Sequence, residues 1–124
     1  MFWTPTVLDF FFYRQPADMR KGFDGLCGII TGILKQDPLS GAVYIFVNKR
    51  RDRIKLLLWD GDGFWIFYKR LEKGTFQIPE YSETVSSLEL TYAQLVLILQ
   101  GIDLSSVKRR RRYHHPVLNR KGAT

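Results

Sequence analysis

The feature that most constrains this chain is a run of three apolar segments, residues 42–48, 53–59 and 64–70, separated only by the connectors KRRD and DGDG. The segments are rich in β-branched and aromatic residues, the composition of strands. Connectors this short cannot carry the crossover that parallel strands need, so the three strands must pair as an antiparallel meander. Leu56, Leu57, Leu58 and Trp59 are apolar in succession, so both faces of part of this meander need covering.

The flanking sequence supplies the cover. In the opening stretch MFWTPTVLDFFFY, Val7, Asp9, Phe11 and Tyr13 would share one face of a strand, and Leu8, Phe10 and Phe12 the other. After Pro16 the period changes: Met19, Phe23, Leu26, Ile30, Ile33 and Leu34 form one helical face running to about Gln36, with Asp18 as its expected N-cap. That helix carries Gly22, Gly25, Gly28 and Gly32, an expensive choice that predicts close packing on a sheet, another backbone or a nucleic acid. The turn sequence DPLSG precedes the meander. Beyond Pro79 the chain reads as polar and turn-like as far as Ser87. Thr91 with Gln94 then forms a capping box leading into Leu95, Ile98 and Leu99, with Gly101 as the expected C-terminal cap.

Charge divides the chain. Seven of the 19 basic residues and none of the 12 acidic ones lie from Leu104 onward, which leaves residues 1–103 balanced at twelve each. The division predicts one α+β domain over residues 1–103 and a basic flexible tail over 104–124. No apolar run is long enough to cross a bilayer. The apolar start has no basic lead and no small-residue cleavage site, and Cys27 has no second cysteine to pair with. A cytoplasmic protein is the expectation.

Few residue groups point to chemistry. Asp52, Asp60 and Asp62 invite a metal-nuclease reading, but aspartate and glycine belong in a DGDG turn for backbone reasons, and the stretch is too short for a calcium loop. His114 and His115 are adjacent, a spacing at which side chains are expected to point apart, and sit in a basic tail that would repel a divalent cation. Cys27, without a base, reads as a small packing residue. The sequence thus predicts no catalytic residues, metal or cofactor. The basic clusters are the better candidates. Lys108, Arg109, Arg110, Arg111 and Arg112 form an unbroken cationic run that would attract phosphates through counterion release. Tyr113 beside it could stack on a base. Lys49, Arg50, Arg51 and Arg53 lie at the first hairpin turn, and Lys69, Arg70 and Lys73 extend the same surface.

Three stretches carry a resemblance. DMRKGFDGL (residues 18–26), DPLSGAVYIFVNKRRDRIKLLLWDGDGFWIFYKRLEKGTFQIP (37–79) and LTYAQLVLILQGID (90–103) together resemble, in collinear order, the TnpB accessory proteins of IS66-type bacterial insertion sequences. The resemblance implies a non-enzymatic mobile-element protein that assists transposition, while a separate, larger DDE transposase cuts and joins DNA. It carries over no catalytic residues, and it is distinct from the much longer RNA-guided nucleases that share the name TnpB. Arg20 and Lys21 fall in its first motif and join the hairpin cations as candidates for DNA contact.

The expectation is therefore a mainly antiparallel sheet, a three-stranded meander plus an N-terminal strand, packed with two helices. Its partners would be DNA, through phosphates, and the transposase. The rival reading is a pure protein-interaction subunit whose cations only solvate the surface.

Overall fold

The structure is a computed structural model that describes residues 8–79 and 85–100, together with the backbone of two short strands beyond them. Its centre is an open five-stranded mixed sheet in the order β4-β3-β2-β1-β5. The strands are β1 (Phe10–Tyr13), β2 (Val43–Val47), β3 (Arg53–Trp59), β4 (Phe64–Arg70) and β5 (Ser87–Leu90). The expected meander is present as β2, β3 and β4, each antiparallel to the next. The N-terminal strand joins the same sheet, parallel to β2 and antiparallel to β5. β1 and β2 are thus interior strands, and every residue of β2 is buried, which accounts for its continuous apolar sequence VYIFV.

Each face of the sheet has its own helix. Helix α1 (Phe23–Gly32) contributes Leu26, Ile29 and Ile30, which pack with Tyr13, Tyr44, Phe46 and Leu57. Helix α2 (Tyr92–Gln100) contributes Leu95 and Ile98 to the opposite face, where Phe10, Phe12, Val43, Ile45, Ile54 and Leu58 lie. The segment after β4 adds Phe76 and Ile78 to that second layer. Beyond α2, the strands β6 (Ile102–Asp103) and β7 (Lys108–Arg109) pair antiparallel as a separate two-stranded ladder. The expected cap at Gly101 and residues 110–124, with Arg110, Arg111, Arg112, Tyr113, His114 and His115, lie outside the described residues, as does Val7 at the start.

Local signals set several boundaries. Thr91 Oγ1 accepts from Gln94 N at 3.1 Å while Gln94 Oε1 accepts from Thr91 N at 2.9 Å, so the capping box forms as read. In the DPLSG turn, Asp37 Oδ1 accepts from Leu39 N at 2.9 Å and Gly41 takes a φ of 90°, a conformation that favours glycine.

Three expectations are corrected. Asp18 does not cap α1. Its carboxylate is held by the backbone and guanidinium of Arg20, and the helix begins at Phe23 behind Gly22, which offers no side-chain cap. The helix also stops at Gly32 rather than near Gln36. The glycines are not a close-packing device within the described structure: a Cβ added at Gly22, Gly28 or Gly32 would meet nothing within 4 Å, and one at Gly25 only the side chain of Lys21, just before the helix. Finally, the stretch read as polar and turn-like as far as Ser87 ends in an unexpected strand, Ser87–Leu90, at the edge of the sheet, whose Leu88 and Leu90 share the α2 face with Phe12 and Phe10.

One buried cation ties the α1 layer to the sheet. Lys55, in the middle of β3, is 7% exposed, and its Nζ donates to the carbonyls of Met19 and Lys21 at 2.8 Å each. The ammonium also lies 4.7 Å from the centroid of the Tyr68 ring. Replacing it by methionine leaves two carbonyls without their charged donor, and equilibrium denaturation of Lys55→Met should show a loss of about 2–3 kcal/mol. By contrast, Gly28→Ala, which fills open space in a helix interior, should raise stability by about 0.5–1 kcal/mol in the same assay. Close packing at that position would give the opposite sign.

Candidate nucleic-acid interface

The topology gathers basic residues at one end of the sheet. Because β1 and β2 are parallel and β3 runs back from β2, the C-terminal ends of β1, β2 and β4 and the start of β3 lie together. Arg14 follows β1, Lys49, Arg50 and Arg51 form the β2–β3 turn, Arg53 opens β3 opposite Arg70 of β4, and Lys73 follows. Backbone bonds hold this end together: Leu71 N donates to Asp52 O at 2.7 Å and Phe76 N to Arg51 O at 2.7 Å. The other end of the sheet carries Asp9 before β1 and Asp60 and Asp62 between β3 and β4. Among the described residues, a body balanced in charge along the sequence has cations gathered at one end of the sheet.

The hairpin tip is rigid for a specific reason. Asn48 Oδ1 accepts from the amides of Asp52 and Arg53 at 3.0 Å each, and Asn48 Nδ2 donates to Asp52 Oδ1 at 2.8 Å. Arg51 takes a φ of 61°, the left-handed conformation that closes the turn. The carboxylate of Asp52, which the sequence places among the cations, is thereby engaged by an amide. Among the described residues no carboxylate forms an ion pair with Lys49, Arg50 or Arg51, and all three are exposed.

Beside the tip lies a cleft of about 320 Å³. Phe12, Pro16, Val47 and Ile78 give it an apolar floor, and Arg14, Lys49 and Arg51 its cationic walls, with Gln15 and Asn48 between them. Among the described residues no carboxylate lines it. Arg14 is positioned there by its Nε, which donates to Val85 O at 2.8 Å, and by its amide, which donates to Ser86 O at 3.1 Å. Sequence reasoning missed Arg14 because nothing local marks it; it matters only once β1 is seen to end beside the hairpin.

The remaining candidates are dispersed. Arg20 and Lys21 lie over the α1 face, where the Lys21 carbonyl serves Lys55. Arg20 is bound to Asp18 at 2.8 Å, a contact that holds the Asp18 carboxyl well below the usual carboxylate range, and Arg70 is bound to Glu72 at 2.9 Å. Lys69 turns to the α2 face and donates to Leu99 O at 3.3 Å. Lys108 and Arg109 belong to β7, and Arg110, Arg111 and Arg112 lie outside the described residues.

The acidic trio is pulled apart. Asp52 precedes β3 and Asp60 follows it, so the length of a seven-residue strand, about 23 Å, separates them, whereas paired metal ions need carboxylates within a few ångströms. Asp60 Oδ2 accepts from Trp65 Nε1 at 2.6 Å and Oδ1 from Asp62 N at 3.3 Å, which is turn chemistry. Among the described residues no group of three or more His, Cys, Asp or Glu side chains is placed to hold a metal ion. Cys27 packs against the α1 core, and burial, aided by Asp24, raises its thiol pKa, the reverse of activation. Among the described residues no helix is long and apolar enough to cross a membrane.

A small α+β module with one cationic sheet end is the class these features define. The chain belongs to the IS66 Orf2-like family, the TnpB accessory proteins of IS66 transposition, whose model matches residues 8–109. The match takes in β1, Arg14 and the β6–β7 ladder, and so extends beyond the motifs legible in the sequence. Two proteins of Sinorhizobium fredii (strain NBRC 101917 / NGR234) are similar. Uncharacterized protein y4jC is 34% identical over 77% of this chain and 80% of its own length. Uncharacterized protein y4hO is 36% identical over 70% of this chain and 74% of its own length. No solved structure matches the chain.

The Asp60–Trp65 bond gives a site-specific check of the turn. The indole hydrogen bond holds the Asp60 carboxyl below its ordinary value of 3.8, with the Asp62 amide assisting. The contribution of this bond to stability is therefore complete above that value and is lost as pH falls through the lowered one. The Trp65 indole N–H resonance should titrate with a midpoint below 3.8, and the transition should vanish in Asp60→Asn.

Proposed function

We propose that this accessory protein works without chemistry of its own, holding the phosphate backbone of DNA at the basic end of its sheet while the separate transposase supplies catalysis. The observation that carries this reading is the rigid hairpin tip that holds Lys49, Arg50 and Arg51 exposed beside a cleft that Arg14 also lines. Cations on a rigid tip meet phosphates with little further loss of loop freedom, and the apolar floor suits the sugar edge of the backbone. Arg50, Arg53 and Lys73 widen the contact, and the basic residues from Lys108 to Arg112 add sequence-independent attraction. Arg20, Lys69 and Arg70 are secondary, since each side chain already serves a bond within the fold, and Lys21 lies apart on the α1 face. Phosphate contacts position a complex without reading sequence, so the choice of transposon end falls to the transposase partner. The setting proposed is the bacterial cytoplasm.

The test is a salt titration of duplex binding by the full chain. Each phosphate contact contributes about 0.9 to the log–log slope, so changing Lys49, Arg50 and Arg51 together to glutamine should make the slope shallower by about 3. Terminal-repeat and scrambled duplexes should bind alike. Changing Arg110, Arg111 and Arg112 to glutamine measures the tail separately. Failure of the unaltered chain to bind either duplex near physiological salt would sink the DNA reading in favour of a subunit that contacts only the transposase, which a pull-down with that protein then examines.

A further inference from the structure

Strand β4 is an edge: it pairs with β3 on one side, and no described strand lies on the other. Two ladder bonds fix which of its backbone groups face outward. Leu71 N donates to Asp52 O and Asp60 N to Gly63 O, and bonded residues alternate along an antiparallel pair. Trp65, Phe67 and Lys69 therefore bond to β3, and Phe64, Ile66, Tyr68 and Arg70 turn their N–H and C=O groups away from it. The side chains are equally unlike a protected edge. Trp65 is 53% and Phe67 48% exposed, with ring centroids 6.0 Å apart and planes 13° from parallel, and Tyr68 is exposed on the other face. Free edges are ordinarily blunted by charge, proline or a bulge. Here the two cations stand only at the end of the strand.

We infer that β4 is the interface of a homodimer, pairing antiparallel with β4 of a second copy about a two-fold axis at Phe67 and joining two five-stranded sheets into one. This register overlaps all seven residues of the strand. It sets Phe64 opposite the partner's Arg70 and Ile66 opposite the partner's Tyr68, so that outward backbone groups meet outward backbone groups. Phe67 faces the partner's Phe67, with Trp65 beside it, in one aromatic patch on the α2 face.

Charge selects a second copy as the occupant. The axis reverses the polarity of the sheet and lays the acidic turn of Asp60 and Asp62 along the partner's Lys69, Arg70 and Lys73, where Glu72 is already bound to Arg70. Moving the axis to residue 69 would instead set Lys69 against the partner's Lys69, a destabilising like-charge pair. The inference shares Lys73 and Arg70 with the basic end of the sheet but uses none of Arg14, Lys49, Arg50 and Arg51, on which the DNA reading rests, so the two are tested separately.

Sedimentation velocity of the full chain over a concentration series should show reversible conversion toward twice its 14.5 kDa mass. Phe67→Lys, which opposes two cations across the axis, should weaken the dimer by more than about tenfold while circular dichroism remains native. In a Cys27→Ser background, Phe67→Cys should oxidise readily to a covalent dimer. Its two Cα atoms would stand about 4.5 Å apart as a non-bonded pair, within disulfide reach. Trp65→Cys, whose two copies would stand about 13 Å apart, should not cross-link. If Phe67→Lys fails to fold, the cross-link decides alone. An unaltered chain that stays monomeric, or a dimer that Phe67→Cys does not cross-link, overturns the inference, the first by showing the edge otherwise covered and the second by placing association elsewhere.

Discussion

The ammonium of Lys55 is the contact on which the layering of this fold depends. A lysine in the middle of a central strand would be costly to bury without acceptors, and the chain supplies them from the carbonyls of Met19 and Lys21, more than thirty residues earlier. That pair of bonds draws the segment leading into α1 across β3 and fixes where the helix begins. Leu26, Ile29 and Ile30 then descend on Tyr44, Phe46 and Leu57. Ala17 N, which donates to Val47 O at 2.9 Å, anchors the same segment on β2. Two stretches that stand out in the sequence, DMRKGFDGL and IKLLLWDGDG, are thus one structural unit, joined by backbone carbonyls that leave no trace in residue type.

This explains what could be read from the sequence and what could not. The meander, the capping box at Thr91 and the turn at Asp37 were legible because each is decided by residues within a few positions of one another. The start of α1 was misread because Asp18 has the right identity for a cap but is taken by Arg20 two residues on. The placement of β1 and the existence of β5 were hidden for a different reason. Tyr13 pairs with Ser87, and Arg14 N reaches Ser86 O, so the signal lies in a partner some seventy residues away. A four-residue strand reading SLEL has little to announce it until β1 offers an edge.

The candidate site divides along the same line. The cations of the hairpin were visible, yet their freedom depends on Asn48, whose side chain binds the Asp52 carboxylate and two backbone amides at once. Without that arrangement Asp52 would be available to neutralise a neighbour. Arg20 and Arg70, equally basic on paper, are each held by a carboxylate two residues away. Counting charges overstates such residues and, by omitting Arg14, understates the cleft.

Separation of charge along the sheet has a consequence that net charge does not convey. The body carries as many acidic as basic residues, so at long range it is nearly neutral, and any attraction it exerts on a polyanion is felt only within about a Debye length of its basic end. A basic tail acts differently, because from Leu104 onward it carries no acidic residue of its own. On the proposed reading, the tail brings the molecule to DNA and the sheet end sets its orientation there, since the bonds of Asn48 hold the hairpin tip in one direction. An accessory protein built this way would contribute geometry, and would leave to its transposase both the reading of sequence and the breaking of bonds.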